Sequence, residues 1–263
     1  MASFQIATSL FDRFPDLRVG LIRLKLSAAM PVGADAVAQS VLTEAHKLPA
    51  EVDFGPWHEA FRWFGSKPKK YRCAAEALLM RVKAGGDIPS ILPLVDLYNA
   101  VSIRTGLPIG GDDLERVQGD VSLSFATGDE TFIEASGRES SPRKGEVIYH
   151  DDAAVLCRRW NWRESAATIL TEKTREAVLY IESLRAEDDL EAALKMLQEQ
   201  LVATLGPLRV DVAVLDKVSS KIDLESLATS PSDLVGVPPV SREPQGKGQR
   251  AQSKEQGRKG RGA

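Results

Sequence analysis

The stretch GEVIYHDDAAVLCRRWNWRES, Gly145 to Ser165, decides how the chain is read. Val147, Ile148 and Tyr149 form one short apolar run, and Val155, Leu156 and Cys157 form another. Asp151 and Asp152 separate them. Runs of that length, bounded by turn residues and rich in β-branched and aromatic side chains, read as strands. The second run leads into Trp160 and Trp162, framed by Arg158, Arg159 and Arg163 and followed by Glu164. Continued as a strand over 154–160 and beyond, it puts both tryptophans on one face, with Arg159 and Asn161 on the other. A face of two tryptophans is core, a pocket wall, or a surface that stacks on bases, and the residues alone leave all three open.

Upstream, DVSLSFA (120–126) and ETFIEA (130–135) are two more strand candidates, with Gly, Asp or Pro between the runs. LRVGLIRLKL (17–26) alternates Leu17, Val19 and Leu21 with outward positions and reads as a strand. Helices are expected over 35–48, with Asp35 as N-cap, and over 56–65, with Pro early and Gly late. Two more follow over 71–86, ending at Gly85 and Gly86, and over 92–106. After the strands, helices are expected over about 171–185 and 187–204, then a strand over 208–216. There is no internal repeat and no βαβ rhythm with a Gly-rich phosphate loop. The architecture expected is mixed α/β: a helical middle, a meander of strands, then closing helices.

Composition removes several classes of function. With 43% hydrophobic residues the chain reads as globular. No apolar run is long enough for a membrane span, and the start has no basic region followed by an apolar stretch. Cys73 and Cys157 are the two cysteines, so reduced thiols in a cytoplasmic protein are expected. His46, His58 and His150 are far apart and no Cys-x-x-Cys occurs, so neither a metal nor another cofactor is expected. No nucleophile elbow, P-loop or dinucleotide fingerprint is present. The net charge of −3 is unevenly spread. Residues 240–263 hold seven Lys/Arg against Glu243 and Glu255, leaving −8 on the remainder. An acidic body argues against broad nucleic-acid binding, so any RNA contact is local. Residues 229–263, rich in Pro, Gly, Ser and charge, read as a disordered basic tail.

Two further clusters carry chemistry. In SKPKKYR (66–72), Lys69, Lys70 and Arg72 with Tyr71 run into a helix N-terminus; this is a phosphate contact or a solvated basic turn. In LVDLYNAVSIRTGLPIGGDDLE (94–115), Asp96 and Asn99 share one helix face. The glycines that follow let backbone approach a ligand closely. A structural Asp–Asn pair that bonds the adjoining loop is the alternative.

Taken together, residues 60–185, and more loosely 15–205, resemble the B3/B4 domain of the phenylalanyl-tRNA synthetase β subunit, in particular its free-standing form. The Val-Asp…Asn element, the turn at 108–110, the Asp-Leu-x-x-Val-x-Gly hinge and the strand ladder occur in the family's order. The resemblance implies a three-layer α/β fold, a β-sandwich with packed helices. It implies one domain over 1–205, an extension over 206–228, and the tail beyond. It also implies a tRNA partner bound at its aminoacylated acceptor end, and hydrolysis of misacylated aminoacyl-tRNA in trans without aminoacylation. Carried over, the helix asparagine is Asn99 and the residue before it is Tyr98. The turn is Pro108-Ile109-Gly110, so Gly110 stands where the family has a histidine. The family's Gly-Gly-Glu falls on Trp162-Arg163-Glu164. The editing chemistry then rests on Asn99, Gly110 and Glu164, and the substrate pocket on Asp96, Tyr98, Pro108, Gly111, Trp160 and Trp162. RNA contacts are expected from Lys69, Lys70, Arg72, Arg158 and Arg163. A non-catalytic RNA-binding module and an amino-acid-binding protein are the alternatives.

Overall fold

The computed structural model describes residues 2–27, 30–206 and 208–227. The tail expected over 229–263 lies outside them. The chain opens with β1 (Ser3–Ile6), α1 (Thr8–Arg13) and β2 (Arg18–Leu26). A helical stretch follows: α2 (Ala34–His46), α3 (Gly55–Trp63), α4 (Ala74–Lys83) and α5 (Pro93–Thr105). Then come β3 (Ile109–Asp113), β4 (Val121–Phe125), β5 (Phe132–Ile133), β6 (Glu139–Ser140), β7 (Val147–His150), β8 (Val155–Arg158) and β9 (Arg163–Glu164). The end is β10 (Glu176–Ser183), α6 (Leu190–Leu205), β11 (Leu208–Leu215) and β12 (Lys221–Asp223).

Local chemistry accounts for several boundaries. Pro93 starts α5 and Gly106, in the left-handed region, stops it. The α4 C-terminus is closed as expected: Gly85 N–H donates to the Val82 carbonyl and Gly86 N–H to the Arg81 carbonyl. Asp35 is not the N-cap of α2; that place is held by Gly33 at φ 91°, and Asp35 lies in the first turn.

The strands form two sheets. One has the order β12-β1-β4-β7-β8-β5-β6, with β9 on β8; the other is β11-β2-β10-β3. Phe4, Leu123, Tyr149 and Leu156 of the first sheet meet Val19, Leu21, Val178 and Tyr180 of the second in one buried cluster. The opposite face of the second sheet, with Ile22, Leu24, Leu179 and Ile181, packs on α5 and α6 through Leu97, Val101, Leu194 and Leu197. The result is three layers, sheet on sheet on helices, a mixed α/β fold. Strands β11 and β12, from the segment 206–228, are edge strands of the two sheets.

Two expectations fail here. Residues 171–185 do not form a helix. Glu176–Ser183 is the strand β10, antiparallel to both β2 and β3. It is covered on both faces, so its apolar run AVLYI shows no alternation to betray it. The second failure concerns the tryptophans. Strand β8 ends at Arg158, and the next two residues adopt positive φ, 48° at Arg159 and 66° at Trp160. Trp160 is therefore turned into the core, fully buried, with its ring edge-on to Phe14 at 4.9 Å and Trp57 at 5.2 Å. Trp162 is only half-buried and packs edge-on against Tyr71 at 4.9 Å. Left-handed conformations cost non-glycine residues of order 1–3 kcal/mol each, and burial of the indole offsets this.

Trp160→Ala is expected to destabilise the protein by about 3–5 kcal/mol in urea unfolding. Trp162→Ala is expected to cost less than about half as much. Equal losses would return both tryptophans to one buried face.

Candidate functional site

Between the two sheets, α4 and the start of α5 lies a cavity of about 390 Å³. That size suits a small ligand. Its wall brings together Tyr98 and Asn99 from α5, Gly110 and Gly111 from β3, and Trp160, Trp162, Arg163 and Glu164 from the β8–β9 hairpin. These residues are separated by up to about a quarter of the chain, and the β8–β9 and β3–β10 pairings converge them. Cys157 is paired with Glu164, and Tyr180 with Gly110.

Glu164 and the two glycines form one unit. The Gly111 N–H donates to Glu164 Oε1 at 3.0 Å. A Cβ on Gly110 would stand 2.8 Å from the same oxygen. On Gly111 it would meet Leu179 Cδ2 at 2.4 Å and the Val178 carbonyl at 2.7 Å. The absence of a side chain at 110 leaves room for the Glu164 carboxylate in this position.

Three of the predicted residues are placed elsewhere. Asp96 is buried and holds the loop before its own helix, accepting from Ser90 Oγ and, at 2.9 Å, from the Ile91 N–H. Pro108 is buried and its carbonyl accepts from the Glu182 N–H at 3.1 Å, a ladder role. Arg158 is buried and bidentate to Glu146 at 3.0 and 3.1 Å, so it is not offered to a phosphate. The basic turn is also partly used. Glu76 occupies the first turn of α4, where it meets His58 at 3.0 Å and Arg72 at 3.7 Å. Lys69 and Lys70 are exposed.

Arg159 takes the place that Arg158 leaves. Its guanidinium lies 4.0 Å from the Tyr71 ring and 4.5 Å from the Trp162 ring. Arg163 stacks on Trp162 at 4.6 Å, and Lys70 on Tyr71 at 5.1 Å. Five side chains thus alternate cation and aromatic beside the cavity mouth.

The sequence reading missed the inner wall. Asp112 of β3 and Glu182 and Tyr180 of β10 line the cavity with Tyr149 of β7 and Asn161. Glu182 accepts from the Tyr149 hydroxyl at 2.5 Å and from Asn161 Nδ2 at 2.6 Å. Asp112 accepts from Thr168 Oγ1 at 2.6 Å. The signal was the alternation Val178, Tyr180, Glu182, visible only once 176–183 is read as a strand. Burial pushes all three carboxyls, Asp112, Glu164 and Glu182, up to about 7. The Gly111 N–H opposes this at Glu164, Thr168 opposes it at Asp112, and Tyr149 and Asn161 oppose it at Glu182. Burial, with Glu164 beside it, pushes the Cys157 thiol well up, which removes it as a nucleophile.

The fold and the cavity define a two-sheet α/β domain with a half-open, largely apolar pocket into which a few polar groups converge. Residues 56–194, more than half of the chain, match the B3/4 domain family, and the chain belongs to it. Over 71 residues it is 31% identical to the phenylalanine–tRNA ligase beta subunit of Photorhabdus laumondii subsp. laumondii. That match covers 27% of this chain and 9% of the relative, so the chain spans less than a tenth of it. A crystal structure of an N-terminal fragment of the phenylalanyl-tRNA synthetase beta-subunit from Pyrococcus horikoshii superposes with a TM-score of 0.37 at 13% identity, over 44% of this chain and 41% of that one. Among the described residues no helix is long and apolar enough to cross a membrane.

The pKa of Glu182 sets a test of the inner wall. A carboxyl whose folded pKa is raised from 4.5 to about 7 favours folding most at acid pH, where both states hold the proton. From about pH 4.5 to 7 the folded state must retain or lose a proton that the unfolded chain has already released, so its contribution is lost as pH rises. The melting temperature of Glu182→Gln, relative to the parent, should therefore climb between pH 5 and pH 8. A flat difference would place Glu182 in contact with solvent.

Proposed function

We propose that this protein binds aminoacyl-tRNA and hydrolyses the aminoacyl ester in the cavity, in trans, with Glu164 as general base. The observation that carries this is the Glu164 carboxyl, held against the Gly111 N–H on the wall of a half-open pocket and pushed up to about 7. A base of that pKa is half ionised at neutral pH, where proton transfer from water is most efficient. The partner is supported by membership of the B3/4 domain family and by a relative that carries the name of a tRNA ligase subunit.

The chemistry asks little of the protein. Glu164 takes a proton from a water molecule whose oxygen attacks the ester carbonyl. The tetrahedral intermediate collapses, the C–O bond to the terminal ribose breaks, and the proton passes to the departing ribose oxygen. Asn99 lines the pocket opposite and supplies an amide donor for the developing oxyanion. No protein nucleophile is consumed, which fits the raised Cys157 thiol. Outside the mouth, Arg159, Arg163, Lys69 and Lys70 offer cations to the acceptor-end phosphates, and Tyr71 and Trp162 offer ring faces.

Purified protein should deacylate at least one misacylated tRNA above the spontaneous rate, and Glu164→Gln should lower that excess by about 10²–10⁴-fold. The excess kcat/KM should rise with pH up to about 7 and then level, because the base must be ionised. No excess hydrolysis for any charged tRNA would sink the proposal. RNA affinity is expected to fall with salt, and each of Arg159→Ala and Arg163→Ala should reduce the log–log slope by about 0.7–0.9. A slope that neither variant changes would remove the stacked cations from the interface.

A further inference from the structure

The inner wall of the cavity concentrates negative charge that the fold leaves without a counter-ion. Several buried carboxylates elsewhere are paired with cations, Glu146 with Arg158, Asp211 with Arg209, and Glu76 with His58 and Arg72, while Asp96, Asp113 and Asp151 are held by neutral donors. Asp112, Glu164 and Glu182 have no cationic partner among the described residues, although the same cavity exposes all three. Arg81 and Arg163 also line it, but both are exposed, and Arg163 is stacked on Trp162. A second observation is independent of the charges. Trp160 and Tyr180, both more than nine-tenths buried, line this space, and Nε1 and the hydroxyl are buried without a hydrogen-bond partner. Each lies close enough to Glu182 or Asp112 to favour the ionised carboxyl, yet neither makes a hydrogen bond of good geometry. Asn161 Oδ1 is likewise buried without a donor among the described residues. The wall therefore offers carboxylates, two unpartnered acceptors in the Tyr180 hydroxyl and Asn161 Oδ1, and ring faces together, while the Trp160 N–H, a donor, is left to the carboxylate. Those groups fit an organic cation, which gains from ion pairing, hydrogen bonding and ring faces at once. A metal ion fits less well, since no three acidic, His or Cys residues among those described are grouped to hold one.

We propose that the cavity selects an amino acid whose side chain ends in a cationic nitrogen, an ammonium or a guanidinium, over neutral aromatic or aliphatic ones. The α-ammonium and the side-chain cation then share the three carboxyls, leaving one as the base. This deepens the deacylase reading and rests on it for the ester, though not for the binding. Burial holds the empty carboxyls partly protonated at neutral pH, and an entering cation would displace those protons.

The test uses amino acid amides, which keep the α-ammonium and the uncharged carbonyl of the ester. Argininamide, lysinamide, tyrosinamide and leucinamide are titrated by calorimetry into the full chain at low salt. At least one basic amide should bind tenfold or more tightly than either neutral amide. Asp112→Asn and Glu182→Gln, checked for a cooperative melt, should each cut that affinity tenfold or more, with little effect on leucinamide. Equal or tighter binding of a neutral amide overturns the proposal, as does no binding of any amide, or insensitivity to both variants in a folded protein. Arginyl-, lysyl- and tyrosyl-tRNA are then compared as hydrolysis substrates. Selective amide binding with no hydrolysis sinks the deacylase reading alone. Hydrolysis that favours the tyrosyl ester sinks the cation reading alone.

Discussion

The antiparallel pairing of β10 with β3 is the constraint on which the rest depends. It aligns Tyr180 with Gly110 and Val178 with Asp112, so one face of a single ladder carries the floor of the cavity. The other face, through Leu179 and Ile181, fastens the sheet to α5 and α6. A strand in that position has no solvent side, and its polar side chains must be satisfied inside the protein or by a ligand. Glu182 shows both solutions at once. Tyr149 and Asn161 donate to it, yet no cation balances it.

That same position explains what the sequence could and could not say. The helices from 35 to 106 were legible through their length and recognisable ends, the Gly85-Gly86 pair for one and Pro93 and Gly106 for α5, which is buried on all sides from Pro93 to Ile103. The strands β4, β7 and β8 were legible as short apolar runs between turn residues. Residues 176–183 were not, because burial on both sides erases the period-two signal and leaves an apolar run that also suits a helix. With the strand misread, Tyr180 and Glu182 had no reason to face a pocket. Most of the cavity's outer wall was recoverable by family resemblance. Its inner carboxyls required the fold.

The hairpin between β8 and β9 is the other place where local pattern fails. Alternation predicts one face for Trp160 and Trp162, but Arg159 and Trp160 leave the extended region and reverse the chain. The reversal buries one indole between the sheets and leaves the other to stack with Arg159, Arg163 and Tyr71 at the mouth. It also exchanges the arginines: Arg158 neutralises Glu146 inside, and its half-buried neighbour Arg159 stacks on Tyr71 and Trp162. Left-handed conformations at two consecutive non-glycine residues are held only by tertiary contacts, here the T-shaped packing of Trp160 and the bond from Arg159 N–H to Glu146 at 3.1 Å. Phe14 and Trp57 lie far outside the stretch that holds Trp160.

Gly110 joins the two regions. A side chain there would collide with the Glu164 carboxylate, and the Gly111 N–H that steadies the carboxylate belongs to the strand paired with β10. Glycine at 110 admits the carboxylate to that volume, and together with Asp112 and Glu182 the carboxylate makes this part of the wall anionic. Like charges brought together out of water repel one another, and a ligand that brings positive charge relieves that repulsion where a neutral one does not.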